Sequence, residues 1–281
     1  KDIIKKALPL LYRLSQTRKQ NFCVGLVSNG ELLDEKIAQF LKQYNWNRAQ
    51  ITLDGPKETH DKRRFGKNNR PTFDKIMRNI LTIAEKGYIK KIDLRINFDL
   101  TITNKIFQLL EHFADLELQN KVDLTFALIN GNFEEQCKST LCTSEITNND
   151  TANAYISFYE YAKKLKFNIQ EEFVSGPFCI ATLKHTAVLQ PNGFLQKCFC
   201  TTGKSNYNFN SIHNMPKHYA KDRRFEQFTK RTKKCVAEKC ELLPICGGGC
   251  IHNSLIKNGK DGFIKEFCEK YGLEHVKELY Y

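Results

Sequence analysis

Residues 72–100 read TFDKIMRNILTIAEKGYIKKIDLRINFDL. The stretch from Thr72 to Gly87 reads as a helix, with Thr72 placed as its N-cap and Gly87 as its stop. The remainder, KKIDLRINFDL, reads as a strand. The same order repeats on both sides. Upstream, DIIKKALPLLYRLSQTRK is helical and FCVGLVSNG is a buried strand ending in a turn. DEKIAQFLKQY is helical again, and RAQITLDG is a strand ending in a loop. Downstream, TNKIFQLLEHFADLEL is a helix and KVDLTFALIN a strand. Repeated helix–strand order implies an α/β fold, a parallel sheet with helices outside. In such sheets ligands collect where strands end. Those ends are Ser28–Gly30, Thr52–Pro56, Ile96–Leu100 and Ala127–Gly131.

After residue 130 the pattern changes. Residues 130–150 are polar and irregular and read as a connector; the helix TANAYISFYEYAKKLKF follows. From about residue 175 Cys, Gly and Pro rise, and HTAVLQPNGFLQKCFC reads as a hairpin turning at PNG. The expected organisation is therefore 1–130, 131–174 and 175–281.

The net charge of +13 is spread along the chain, as in HDKRRFGKNNR and KDRRFEQFTKRTKK. A solvated lysine-rich surface accounts for it, and an acidic partner peptide is the alternative. No aromatic RNA-binding stretch accompanies the charge, so nucleic acid is not an expected partner. No apolar run reaches the length of a membrane span. The opening KDIIKKALPLLYRLSQ mixes charge and apolar groups at helical spacing, unlike a signal peptide, and a cytoplasmic location is expected.

Of 11 cysteines one precedes residue 130. Cys23, within an apolar stretch, reads as a small core residue. Cys137 and Cys142 read as ordinary thiols of the connector. The others follow a spacing: Cys179-x13-Gly193-x4-Cys198, then Cys235-x4-Cys240-x5-Cys246-x3-Cys250, then Cys268. Thiolates are soft ligands suited to zinc or iron–sulfur clusters. Paired CxxC knuckles of a zinc ribbon are missing, and seven patterned cysteines fit two sites better than one. Iron–sulfur is the favoured reading, with a zinc-stapled or disulfide-stapled domain as the alternatives. Gly247, Gly248 and Gly249, in PICGGGC, let backbone N–H groups approach cluster sulfurs.

This array resembles the SPASM domain of radical S-adenosylmethionine (SAM) enzymes, which shows C-x9–15-G-x4-C, then C-x2-C-x5-C-x3-C, then a final Cys. The one departure is Cys235 to Cys240, separated by four residues rather than two. Upstream, VSNGELLDEKI resembles the family's TNGTLL strand end. ITLDGPKETHDKRRFGKNNRPTFDKIMRNI resembles its SLDGPKEIHDxxR…GTFDKVxxNI. The resemblance spans nearly the whole chain. It implies an incomplete (β/α)6 partial barrel followed by a small cluster-binding SPASM domain.

By the same resemblance, Cys179, Cys198 and Cys250 would hold one auxiliary [4Fe–4S] cluster, and Cys235, Cys240, Cys246 and Cys268 another. The fourth ligand of the first is Cys200 or His185, or an open site, and a [2Fe–2S] cluster is open there. Asn29 would lie near the SAM pocket, Thr52 near the methionine carboxylate, and Arg95 or Arg64 would pair with that carboxylate. For Arg64 a solvated surface position is the plainer reading. Asp54 would shape its loop by accepting backbone N–H bonds. The family's CxxxCxxC and GGEP segments do not appear, and the chain opens at the helix that would follow GGEP. The expectation is the remainder of a longer enzyme, with a truncated relative as the alternative.

The implied activity is that of a radical SAM oxidoreductase modifying a ribosomally made peptide, supplied with electrons by a ferredoxin or flavodoxin. Sulfatase maturation is one alternative. Phe199 weighs against it, because sulfatase-maturing relatives place an Asp base directly after the Gx4C cysteine, and Phe199 takes no proton. Other SPASM chemistry, such as cofactor biosynthesis or epimerisation, is a second alternative. A non-enzymatic electron-transfer or peptide-binding module is the third.

Overall fold

Local chemistry sets most helix boundaries. Asp34 Oδ1 accepts the Ile37 N–H at 3.0 Å and starts α2 (Glu35–Lys42), which follows α1 (Asp2–Thr17) and β1 (Val24–Ser28). After β2 (Trp46–Leu53) comes a short helix, α3 (Lys57–Arg63), where the sequence predicts only a loop. Its run KETHDKR has no apolar face; Pro56 O starts it by accepting from Thr59 and His60 N–H groups. α4 (Phe73–Glu85) has Thr72 at the N-cap position, but the Thr72 side chain makes no cap bond. Asp61 Oδ1 does that work instead, accepting from the N–H groups of Thr72 (2.7 Å) and Phe73 (2.9 Å). Gly87, at φ +59°, ends the helix as expected. β3 (Ile92–Phe98), α5 (Thr103–Asp115), β4 (Val122–Leu128) and α6 (Asn148–Lys164) complete the series. This is a computed structural model that describes residues 2–129, 148–169, 181, 183, 186–214, 235–241, 243 and 252.

The chain divides into two units, Lys1–Gln170 and Glu171–Tyr281. In the first, four parallel strands lie in sequence order, β1-β2-β3-β4. With right-handed crossovers, sequential order puts every connecting helix on one face, as in a barrel wall and unlike a doubly wound sheet. Burial agrees. Ile92, Leu94, Ile96 and Phe98 of β3 are fully buried, in one core cluster with Ile76, Ile80 and Ile83 of α4 and Ile106, Leu110 and Phe113 of α5. The alternate residues Asp93, Arg95 and Asn97 are only half-buried. α6 docks through an aromatic cluster, with the Phe158 ring 4.9 Å from Phe98 and 5.1 Å from Phe126.

β1 was expected to be buried. It stands at one edge of the sheet instead, pairing with β2, and its Val27 is 76% exposed. Cys23 likewise is exposed, just before β1, rather than a core residue. Among the described residues β1 pairs on one side only, and an apolar neighbourhood in sequence does not by itself bury such a strand.

The second unit contains the expected hairpin, β5 (Val188–Leu189) paired antiparallel with β6 (Phe194–Gln196). Gly193 at φ +82° supplies its turn. A third strand, β7 (Asn210–Ser211), pairs with β6. Among the described residues no helix is long and apolar enough to cross a membrane.

Candidate functional site

The half-buried face of the sheet is polar, and its register lines the polar groups into rows. Val27, Gln50, Asp93 and Asp123 form one row; Thr52, Arg95 and Thr125 form the next, nearer the strand ends. Asp93 anchors them: Gln50 Nε2 donates to its Oδ2 at 2.5 Å and Thr125 Oγ1 to its Oδ1 at 2.7 Å. A parallel sheet covered by helices on both sides would be apolar on both. A polar, hydrogen-bonded face is one that no apolar helix layer covers.

At the C-terminal end of that face a chain of hydrogen bonds crosses from β3 to α3. Arg95 Nε donates to Asn97 Oδ1 at 3.1 Å, and Asn97 Nδ2 to Asp54 Oδ1 at 2.7 Å. Arg64 Nε donates to Asp54 Oδ2 at 2.5 Å. Asp54 is buried, and its carboxylate accepts from two side chains, not from the backbone N–H groups expected of it. Both arginines spend Nε on this chain, so their terminal guanidinium nitrogens remain to meet an anion. Beside it Arg63 pairs with Asp99, whose Oδ1 also accepts the Thr101 N–H at 2.9 Å. Arg63 Nη1 is buried and lacks a partner.

Two glycines let the strand ends turn this tightly. Gly30 has φ +79°, and a Cβ there would stand 2.8 Å from Ile51 Cγ2. Gly55 has φ +86°, and a Cβ would stand 2.8 Å from Ile102 Cδ1. Neither position accepts another residue without strain. Asn79 of α4 holds the first turn by donating to Gly30 O at 2.9 Å.

Tyr155 of α6 reaches the end of β4, where its hydroxyl accepts the Leu128 N–H at 2.9 Å. Burial raises its pKa, opposed by that N–H and by the nearby Arg95 charge. The phenol therefore stays protonated at neutral pH.

In the second unit Cys198 is buried and its thiol is acidified, to about 6. The Cys200 thiol donating to its sulfur is the largest cause, and the N–H groups of Cys200 and Thr201 add to it against burial. Donors around the sulfur favour its thiolate form over the thiol. Cys235 and Cys240 come together in a short turn, Cys240 N donating to Cys235 O at 2.9 Å. Among the described residues no group of three or more His, Cys, Asp or Glu is placed to hold a metal ion. Cys179, His185, Cys246, Cys250 and Cys268, and the connector's Cys137 and Cys142, lie outside the described residues.

Of the residues singled out from sequence, Thr52 and Arg95 face one another in register and Arg64 joins them through Asp54 and Asn97. Arg64 is thus an ion-pair partner, not a free surface charge. Asn29 is exposed at the end of β1, its Oδ1 accepting the Glu31 N–H at 3.2 Å. Sequence reasoning missed Asn97, His60, Asp93 and Tyr155. Only the position of Asn97 beside a strand end could have pointed to it.

No family model matches the chain. It is 32% identical over 83 residues to the serine-type anaerobic sulfatase-maturating enzyme of Bacteroides thetaiotaomicron, a match spanning 30% of this chain and 19% of that enzyme. It is 24% identical to the cysteine-type anaerobic sulfatase-maturating enzyme of Clostridium novyi, over 91% of this chain and 71% of that one. Among solved structures it is similar to anSMEcpe with bound AdoMet and the Cp18Cys peptide, at TM-score 0.70 and 16% identity, covering 99% of this chain and 78% of that one. The structure of native anSMEcpe with bound AdoMet gives TM-score 0.67 at 18% identity, with the same coverage. The chain is therefore an α/β protein with the fold of these enzymes. The resemblance to radical SAM/SPASM proteins read from its motifs agrees with what it is similar to.

Proposed function

We propose that this protein is a radical SAM enzyme that removes a hydrogen atom from a peptide or protein substrate. The observation that carries the reading is the polar sheet face ending in Thr52, Arg95 and the Asp54–Arg64 pair, on a fold shared with chains solved with AdoMet and peptide. The donors fit a methionine carboxylate: the free guanidinium ends of Arg95 and Arg64 lie on one hydrogen-bonded chain with Asn97 and Asp54. That activity would need the CxxxCxxC-held cluster, which is not among these residues; with it, bound SAM would supply the hydrogen-abstracting radical chemistry. Arg95 and Arg64 would orient that ligand by its carboxylate, and Asn29 would border the pocket.

The donor set of the second unit fits iron–sulfur ligation in its chemistry, through the acidified Cys198 and its neighbour Cys200. Cys179, Cys198, Cys200 and Cys250 would hold one auxiliary cluster, and Cys235, Cys240, Cys246 and Cys268 the second. Their part is electron transfer or substrate binding.

The relatives bear on the order of the substrate classes. Sulfatase maturation, placed second from sequence, has the support of the serine-type and cysteine-type enzymes that the chain resembles. The case for a peptide-crosslinking enzyme rests on Phe199, exposed directly after Cys198, where a proton acceptor would serve sulfatase chemistry. Both classes act on a side chain within a peptide, and a peptide or protein side chain is the substrate proposed.

Anaerobic reconstitution followed by iron, sulfide and calorimetric SAM measurements tests the reading. Two [4Fe–4S] sites give about eight irons per chain, and Arg95→Met weakens SAM binding roughly tenfold, the scale of a charged hydrogen bond. Zinc in place of iron, or SAM binding indifferent to Arg95, overturns it.

A further inference from the structure

His60 is fully buried and belongs to no motif role assigned above. Its two ring nitrogens have different partners. The Asp54 N–H points to Nδ1 at 3.1 Å, and Nε2 lies 3.2 Å from Thr72 Oγ1. A backbone N–H can only donate, so Nδ1 carries no proton. Thr72 Oγ1 spends its own proton on Arg64 O, at 2.7 Å, so it accepts from Nε2–H. The tautomer follows: neutral, protonated on Nε2.

These bonds close a circuit. It runs from the Asp54 backbone through the imidazole to the Thr72 hydroxyl and the Arg64 carbonyl, and returns from the Arg64 guanidinium to the Asp54 carboxylate at 2.5 Å. Both residues of the ion pair are thus gripped by their backbones from one ring. Asp61, next in the chain, ties the same loop to the N-terminus of α4, and the Phe73 ring packs edge-on against the imidazole at 5.7 Å. We infer that His60 is a positioning residue, a neutral Nε2–H imidazole that fixes the Asp54–Arg64 pair and so aims the Arg64 guanidinium along the strand ends. For its role toward SAM the inference rests on the function proposed above; its hold on Arg64 does not.

Protonation would turn Nδ1 from acceptor to donor and set it against the Asp54 N–H. Burial lowers the His60 pKa and the Arg64 charge assists, while Asp54 and Asp61 pull the other way. A base with a lowered folded pKa binds fewer protons folded than unfolded. Stability is therefore full above the ordinary value of 6.5 and is lost as pH falls below it.

Heteronuclear spectra of the isotope-labelled whole chain read the histidine nitrogens and the Arg64 Nε–Hε group directly. The expected result is His60 protonated on Nε2 alone at neutral pH, with a slowly exchanging Arg64 Nε–Hε. His60→Asn keeps an acceptor for Asp54 but loses the bond to Thr72; Thr72→Val breaks the same link from the other side. In each, Arg64 Nε–Hε exchange should quicken about tenfold, the factor one hydrogen bond supplies. An Nδ1-protonated or cationic ring at neutral pH overturns the inference. So does unchanged Arg64 exchange in a Thr72→Val chain whose circular dichroism is native. SAM calorimetry on the same samples separates the two readings. If the parent chain binds no SAM while Arg64 responds as stated, the proposed function fails and His60's hold on Arg64 stands.

Discussion

Leu94 and Arg95 are neighbours in the chain and belong to different parts of the molecule. Leu94 points into the helix layer and is fully buried with Ile92, Ile96 and Phe98. Arg95 points to the opposite face, half-buried among Thr52, Asn97 and Thr125. A strand has period two, so a single segment builds the core with one set of residues and the ligand face with the other. The difference teaches where each kind of sequence pressure acts: volume on the first face, donor and acceptor matching on the second.

The sharpest way to break this division is Leu94→Ala. Truncating a fully buried leucine removes transfer free energy and leaves a cavity, and about 2–5 kcal/mol of stability should be lost in urea unfolding. Binding by the folded fraction should be unchanged, since no hydrogen bond of the polar face involves Leu94. A loss under 1 kcal/mol, well below the usual range for such sites, would mean that the apolar face is no core.

That division also explains what was legible in the sequence. α4 and α5 bury Ile76, Ile80 and Ile83, and Ile106, Leu110 and Phe113, at spacings visible without a structure. The four strands are legible from their apolar and alternating runs, and the hairpin from its PNG turn. α3 was not, because KETHDKR shows no apolar stripe and is held by tertiary bonds to His60 and Asp61. β7, two residues long, is too short to show a period. At the site, Arg64 and Arg95 come from the family resemblance, as guanidinium forks suited to a carboxylate. His60 and Asn97 acquire their roles only from partners 6 to 43 positions away in the chain. Burial was misjudged at Cys23 and β1 because composition does not reveal which strand lies at an edge.

Gly55 belongs to both sides of the division, and Gly55→Ala should show both effects. The left-handed backbone strains any side chain, by about 1–3 kcal/mol. The new methyl would also stand 2.8 Å from Ile102 Cδ1, which must shift beside the loop that carries Asp54. Unfolding midpoint and SAM affinity should fall together. Adding Ile102→Ala should recover the steric part alone, because φ is unchanged. Full recovery would show that the turn needs space and not glycine.

The smallest effect is expected on the polar face itself. Thr125→Val is close in volume and removes one donor, the 2.7 Å bond to Asp93 Oδ1. Asp93 keeps Gln50 on its other oxygen and is half-buried, so water can replace the lost donor. The cost should therefore sit at the low end for a hydrogen bond, about 0.5 kcal/mol. A loss several times larger would mean that Asp93 is sealed from solvent, and that the rows beneath Arg95 form a second core rather than the floor of a site.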